Sequence, residues 1–248
     1  MLVLLPPSEG KTAPKRGKPL DLAALSHPEL TAARSKVLDA LVALCAGPAA
    51  PALDALELSD AQAGELERNA RLRDAPTARA SAIYTGVLYE RLRLPDLPLR
   101  ARRRVLIASA LWGAVAPDDR IPAYRLSIGA RLPGFGPLAA HWRPALRAAL
   151  PDGGLVVDMR SGGYAAAWSP REATVVSVRA FTERAGKRTA ISHMVKATRG
   201  DVARVLLEAS RPPRSAERVA ELVAASGREV ELTAGRGGPF LDVIHREA

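Results

Sequence analysis

The stretch Val105–Gly129, VLIASALWGAVAPDDRIPAYRLSIG, sets the reading of the chain around it. It opens as a continuous apolar run, Val105-Leu106-Ile107-Ala108, and continues into Leu111-Trp112-Gly113. It breaks at Ala116-Pro117-Asp118-Asp119-Arg120 and resumes as Ile121-Pro122-Ala123-Tyr124-Arg125-Leu126. A short apolar run bounded by turn residues fits a buried strand, and a polar, ring-bearing loop delivered by such a strand is how scaffolds commonly position function. A plainer reading fits the same residues: a core strand, a solvated Asp-Asp-Arg turn and a second strand. In that reading Asp119 and Arg125 pair with each other and pin the loop.

Upstream, residues 2–5 read as a short buried strand closed by Pro6-Pro7, followed by the polar loop Ser8-Glu9-Gly10-Lys11-Thr12. Gly-Lys-Thr lacks the first glycine of a P-loop, and Pro14 with Lys15-Arg16-Gly17-Lys18-Pro19 predicts extended chain where a helix is needed, which excludes a Walker-type NTPase. Helical spacing covers residues 27–46, Gly47–Pro51 reads as a loop, and Leu53–Leu72 holds two short helices, the second opened by Ser59 with Gln62 as a capping box. Ala78–Leu92 is predicted helical, and Pro95–Arg104 reads as a linker.

Downstream, a helix is predicted over Leu138–Leu150, with His141 a hydrogen-bonded surface residue, and a central strand over Leu155–Met159. The strand ends in Arg160-Ser161-Gly162-Gly163-Tyr164, a small-residue loop opening a helix to Trp168, whose first amides suit an anion. Thr174–Phe181 and Lys187–Ser192 read as strands around a hairpin turn at residues 185–187. Val195–Ala209 reads as a helix, and Glu229–His245 as two strands joined by a glycine-rich turn. Helix-separated strands early and hairpins later indicate an α/β (or α+β) class, with a mixed sheet flanked by helices. The expectation is one domain over residues 1–248 with a helical insertion at about 25–95.

At 248 residues and 48% hydrophobic content the chain can bury a substantial core. No apolar run reaches membrane-spanning length and residues 1–7 carry no basic leader, so a soluble, cytoplasmic protein without a membrane partner is expected. Cys45, the only cysteine, excludes an internal disulfide and a thiolate cluster. His27, His141, His193 and His245 are scattered, so no metal is expected. Neither a dinucleotide fingerprint nor a Gly-x-Ser-x-Gly elbow occurs, so no cofactor is expected either. The formal charge of +10 points to a polyanion, although only Leu99–Arg104 is a dense basic run. Aromatics at 4% are too few for a row of base-stacking platforms.

Five stretches, in order, resemble the YaaA family of peroxide-stress proteins. They are Leu4–Lys11 (LLPPSEGK), Tyr84–Tyr89 (YTGVLY), the Leu111–Leu126 run through Trp112, Asp119 and Tyr124, Val156–Tyr164 (VVDMRSGGY) and residues 192–200 (SHMVKATRG). The resemblance implies a stress protein that binds DNA through a basic cleft and limits peroxide damage. It also implies a helix-hairpin-helix near residues 53–72. This chain departs from the family there, because the turn at Arg71–Pro76 has no glycine, and again at Ala116, where a basic residue is common. The matched polar set is rich in cations and hydroxyls, which suits phosphate. Lys11, Tyr84, Asp119, Tyr124 and Lys196 are the candidate catalytic groups; Ser8, Arg125, Arg160, Ser161, Tyr164 and Arg199 are candidate phosphate or substrate contacts. All are expected on one cleft. The partner is then nucleic acid, or, if the protein is an enzyme, a nucleotide or phosphorylated sugar. A bland interaction module with a structural polar core is the third reading.

Overall fold

The computed structural model describes residues 1–184, 187–190, 194–235 and 237–246. Its centre is β1 (Leu2–Leu5), whose Val3, Leu4 and Leu5 are buried. Uninterrupted apolar runs, without polar alternation, suit parallel strands covered on both faces. The same holds for β3 (Val105–Ser109) and for the end of β6 (Gly153–Asp158), the two parallel neighbours of β1.

Between β1 and β3 lie α1 (Thr31–Ala46), α2 (Ala49–Leu56), α3 (Gly64–Ala70), the two-residue β2 (Ala78–Arg79), α4 (Ala80–Ile83), α5 (Val87–Leu92) and α6 (Leu99–Arg102). After β3 come β4 (Gly113–Val115), β5 (Arg120–Ile121) and α7 (Leu138–Ala149). After β6 come α8 (Gly162–Ala167), β7 (Glu172–Arg184), β8 (Lys187–Ala190), α9 (Val195–Glu208), α10 (Ala216–Ala224), β9 (Glu229–Thr233) and β10 (Phe240–Arg246). The sheet order is β4-β3-β1-β6-β7-β10-β9, with β8 beside the far half of β7. Strands β3, β1, β6, β7 and β10 run parallel, and β4, β8 and β9 are antiparallel additions, so the fold is α/β with a mixed sheet. Helix α9 packs on β7 and against α5, whereas α7 packs on β4 beside α8. Among the described residues no helix is long and apolar enough to cross a membrane.

Several sequence expectations change. The helix over Ala78–Leu92 is two short helices: Tyr84 leaves α4 in extended conformation, and Gly86, at φ 91°, turns the chain before α5. A left-handed residue of this kind favours glycine. Residues 49–51 of the expected loop already belong to α2, and the expected linker contains α6. The second strand of the central stretch is only Arg120–Ile121, since Pro122 interrupts the pairing to β2. The capping box at Ser59 and Gln62 is present. The hairpin turn at 185–186 and the strand end at 191–192 fall outside the described residues.

Candidate functional site

From β1 the chain leaves toward β3 on one side; from β6, on the other side of β1, it leaves toward β7. Loops that diverge from the carboxyl ends of neighbouring parallel strands open a crevice, the usual ligand position in open α/β sheets. Ser8–Lys11 follows β1, Arg160–Tyr164 follows β6, and Ser109 ends β3.

The Ser8–Thr12 loop is fixed against the break between α4 and α5. The amide of Thr12 donates to the Ile83 carbonyl at 2.9 Å, and the amide of Thr85 donates to the Ser8 hydroxyl at 3.0 Å. Lys11 and Tyr84 form an isolated antiparallel bridge. Ser8 is thereby a loop brace, its own hydroxyl donating to the Gly10 carbonyl at 2.5 Å. Lys11 turns inward: Nζ donates to the Ser8 carbonyl at 2.7 Å and sits 4.3 Å from the Tyr124 ring centroid and 5.5 Å from that of Tyr84. Burial, reinforced by the Arg125 guanidinium, lowers its ammonium from 10.5 to about 7, although Glu65 and Glu9 oppose the shift.

Behind Lys11 runs a chain of hydroxyls. Tyr84 and Tyr124 meet at 2.9 Å, and Tyr124 meets Ser109 at 2.7 Å. Ser109 Oγ also accepts the amides of Leu111 (3.2 Å) and Trp112 (2.9 Å). With its lone pairs so engaged, its proton points to Tyr124, and the Tyr124 proton in turn points to Tyr84. Burial, the main cause in each case, raises the Tyr84, Tyr89, Tyr124 and Tyr164 phenols, so all four remain protonated donors at neutral pH. Tyr89 donates to the Pro6 carbonyl at 2.7 Å and stacks on Tyr84.

Arg125 is aimed by its backbone. The fully buried Asn69 accepts its amide at 2.9 Å and donates to its carbonyl at 2.7 Å. Its guanidinium lies 3.9 Å from Glu9, whose side chain is 81% exposed, so the attraction is weak. The expected pairing of Arg125 with Asp119 does not occur. Asp119 Oδ1 accepts the amide (2.9 Å) and hydroxyl (2.7 Å) of Ser26, and Oδ2 accepts the amide of Ala116 at 2.9 Å. Buried Arg34 completes that clamp, donating to the carbonyls of Ser26 (2.8 Å), His27 (3.3 Å), Trp112 (3.1 Å) and Ala114 (2.8 Å). Asp119 therefore ties loops together.

Arg160 is likewise committed. Its fork grips Asp158 at 2.9 and 2.8 Å, and a third nitrogen donates to the Tyr164 carbonyl at 3.3 Å. Tyr164, half-buried on α8, lines with Ser109, Ile128, Trp142, Arg160 and Trp168 a small apolar cavity beside the hydroxyl chain. Ser161 is exposed and opens α8, which at six residues is too short for a strong terminal dipole. Arg199, half-buried on α9, donates to the Val178 carbonyl at 3.2 Å; burial lowers its guanidinium and nearby Asp158 opposes that. Lys196 is exposed one turn earlier, and among the described residues nothing joins it to Lys11 or Tyr124. Lys11, Tyr84, Tyr124 and Arg125 are thus brought together, with Tyr164 beside them. Asp119 is bonded to Ser26 and Ala116 and not to that group, and no contact among the described residues brings Lys196 to it.

Sequence reasoning missed Ser109, Asn69 and Arg34. Ser109 had a signal, being the one hydroxyl inside an otherwise apolar run, Val105–Trp112. Asn69 and Arg34 had none, because their partners lie 56 and 78 or more residues away for the bonds that matter. Among the described residues no group of three or more His, Cys, Asp or Glu side chains is placed to hold a metal ion.

Residues 1–226 match the sequence pattern of a family described as "Peroxide stress protein YaaA". The UPF0246 protein SCO2297 of Streptomyces coelicolor is 47% identical over 260 residues, spanning 100% of this chain and 99% of that protein. The UPF0246 protein CE1889 of Corynebacterium efficiens is 39% identical over 241 residues, with 95% and 97% covered. A UPF0246 protein of Corynebacterium glutamicum is 41% identical over 236 residues, with 93% and 95% covered. With matched residues reaching from β1 through α10 and relatives alike over their full length, the chain belongs to the YaaA family of peroxide stress proteins.

Proposed function

We infer that this peroxide stress protein binds nucleic acid, with backbone phosphates lying across the crevice at the carboxyl edge of β1 and β6. The observation carrying this reading is a charge imbalance. Asp158, the carboxylate at the end of β6, is spent on Arg160, while among the described residues Lys11 and Arg125 have only the exposed Glu9 and the Glu65–Arg68 pair as acidic neighbours. Arg199, near Asp158 at the end of β6, adds a further cation, and the formal charge of +10 supplies long-range attraction. Binding of this kind is electrostatic and weakly sequence-specific, because phosphates carry no sequence information.

Titration of labelled duplex DNA at several salt concentrations tests the reading. Affinity should fall steeply with salt, and Arg125→Lys should weaken it about tenfold by losing the planar fork while keeping the charge. Affinity indifferent to salt, or no binding at low salt, refutes it.

A second reading has its own support. A lysine whose ammonium titrates near 7 beside ordered hydroxyls is more than phosphate binding requires, and it favours an enzyme acting on a nucleotide or phosphorylated sugar. Phosphate release or substrate turnover lost in Lys11→Met and Tyr124→Phe, with the fold intact, separates it from simple binding.

A further inference from the structure

We propose that Lys11 is a nucleophile that condenses with a phosphorylated aldehyde: the open-chain sugar at an abasic position in nucleic acid, or a small phosphosugar. This rests on the reading of the crevice as a phosphate site. Three observations converge on it. Nζ has no carboxylate within ion-pair distance among the described residues; it is held by the Ser8 carbonyl at 2.7 Å and, more distantly, by that of Glu9 at 3.5 Å. It lies against the Tyr124 ring at 4.3 Å, which excludes water from one side. Burial disfavours its charge most, and Arg125 and Arg68 add to this while Glu65 and Glu9 oppose it; Glu65 is paired to Arg68 and Glu9 is largely exposed. The result is an amine substantially neutral at physiological pH, which a phosphate clamp does not need and an attacking nitrogen does.

The hydroxyl chain supplies the other half of the chemistry. Ser109 donates to Tyr124 and Tyr124 to Tyr84, which leaves the Tyr84 proton unclaimed among the described residues. In the step, the Nζ lone pair forms a bond to the aldehyde carbon and the carbonyl electron pair moves to oxygen. One proton moves from nitrogen to that oxygen, and a second, given by the Tyr84 hydroxyl, lets it depart as water. The C=N bond closes with the remaining nitrogen lone pair, and the protonated imine so formed returns its N–H proton to the Tyr84 phenolate. Amine plus aldehyde thus becomes neutral imine plus water, with Tyr84 restored and no oxidant or reductant. Arg125, aimed by Asn69, is the cation placed to hold the adjoining phosphate.

The test is reductive trapping on the full chain. Protein is incubated with sodium cyanoborohydride and either a duplex carrying one abasic position or glyceraldehyde 3-phosphate, and the adduct is mapped by peptide mass spectrometry. A secondary amine at Lys11, formed at least tenfold faster than on Lys15, Lys18, Lys36 or Lys196 and half-maximal near pH 7, supports the proposal. Labelling by the duplex but not by the triose assigns the nucleic-acid source, and the reverse assigns the small sugar. Lys11 unlabelled by both, or labelled no faster than the surface lysines, overturns it. Lys11→Arg, checked for native circular dichroism, must abolish the fast adduct. Binding of an undamaged duplex is measured in parallel: binding without adduct sinks the imine alone, whereas adduct with the triose and no duplex binding sinks only the nucleic-acid reading.

Discussion

Asp119 accepts both the amide and the hydroxyl of Ser26, a residue 93 positions away, at 2.9 and 2.7 Å. Its second oxygen holds the Ala116 amide, so one carboxylate joins the segment before α1 to the turn between β4 and β5. Asp119→Asn turns an acceptor into an NH2 group at one of these contacts, and stability should fall by about 1–3 kcal/mol. Arg125→Lys should leave the melting temperature unchanged, since among the described residues its side chain has only a distant, exposed partner. Melting curves for both variants check this; parallel losses would mean that the two residues share one structural network.

Arg34 is fully buried, and its donors reach backbone carbonyls of Ser26, His27, Trp112 and Ala114. Burial lowers its pKa to about 10, with Asp119 opposing. Arg34→Met removes a desolvated charge, but it also orphans several buried acceptors. The expected net loss is on the order of 3 kcal/mol. Denaturant unfolding measures it, and a loss below 1 kcal/mol would show that the carbonyls find water.

Lys11 sets a pH signature. Burial and Arg125 lower its folded-state pKa from 10.5 to about 7. Between those values the unfolded chain binds a proton that the folded chain lacks, so stability rises with pH across this window. Below about pH 7 the folded protein carries the buried charge and the penalty is complete. Lys11→Met should be more stable than the parent at pH 6, and the gap should narrow toward pH 10. Melting temperatures of both proteins across that range decide the matter; parallel curves refute it.

Gly200 allows α9 to approach α5. A Cβ there would lie 2.4 Å from the Leu88 carbonyl oxygen and 2.8 Å from the Arg91 Cβ. Gly200→Ala should cost on the order of 1–3 kcal/mol by forcing the helices apart. It should also weaken DNA binding, because Arg199 moves with α9. Chemical denaturation and the salt-titrated binding assay report the two effects.

The sheet's centre was legible because β1, β3 and β6 are continuous apolar runs, which few other structures accommodate. The break at Tyr84-Thr85-Gly86 was not, because local sequence there suits a helix and the pairing to Lys11 that opposes it is 73 residues distant in the chain numbering. Lys11, Tyr84, Tyr124 and Arg125 were each singled out by their motifs, but their arrangement as a chain of hydroxyls beside a sheltered amine was not legible. The plainer reading of Asp119 fails for an informative reason: proximity in sequence suggested Arg125 as its partner, whereas the fold supplies Ser26. Side-chain partners across long loops are fixed by packing, and no local pattern announces them.

β1 also has a consequence for how the protein is made. The strand is synthesised before both of its sheet neighbours, yet Leu4 pairs with Leu106 on one side and Asp158 on the other. At about 5–20 residues per second, the middle of the sheet waits many seconds for its second neighbour. Until then a bare apolar strand and the unassembled Ser8–Lys11 loop are exposed together. The unpaired edges of β1 are therefore the part of the sheet most exposed to wrong pairing during synthesis.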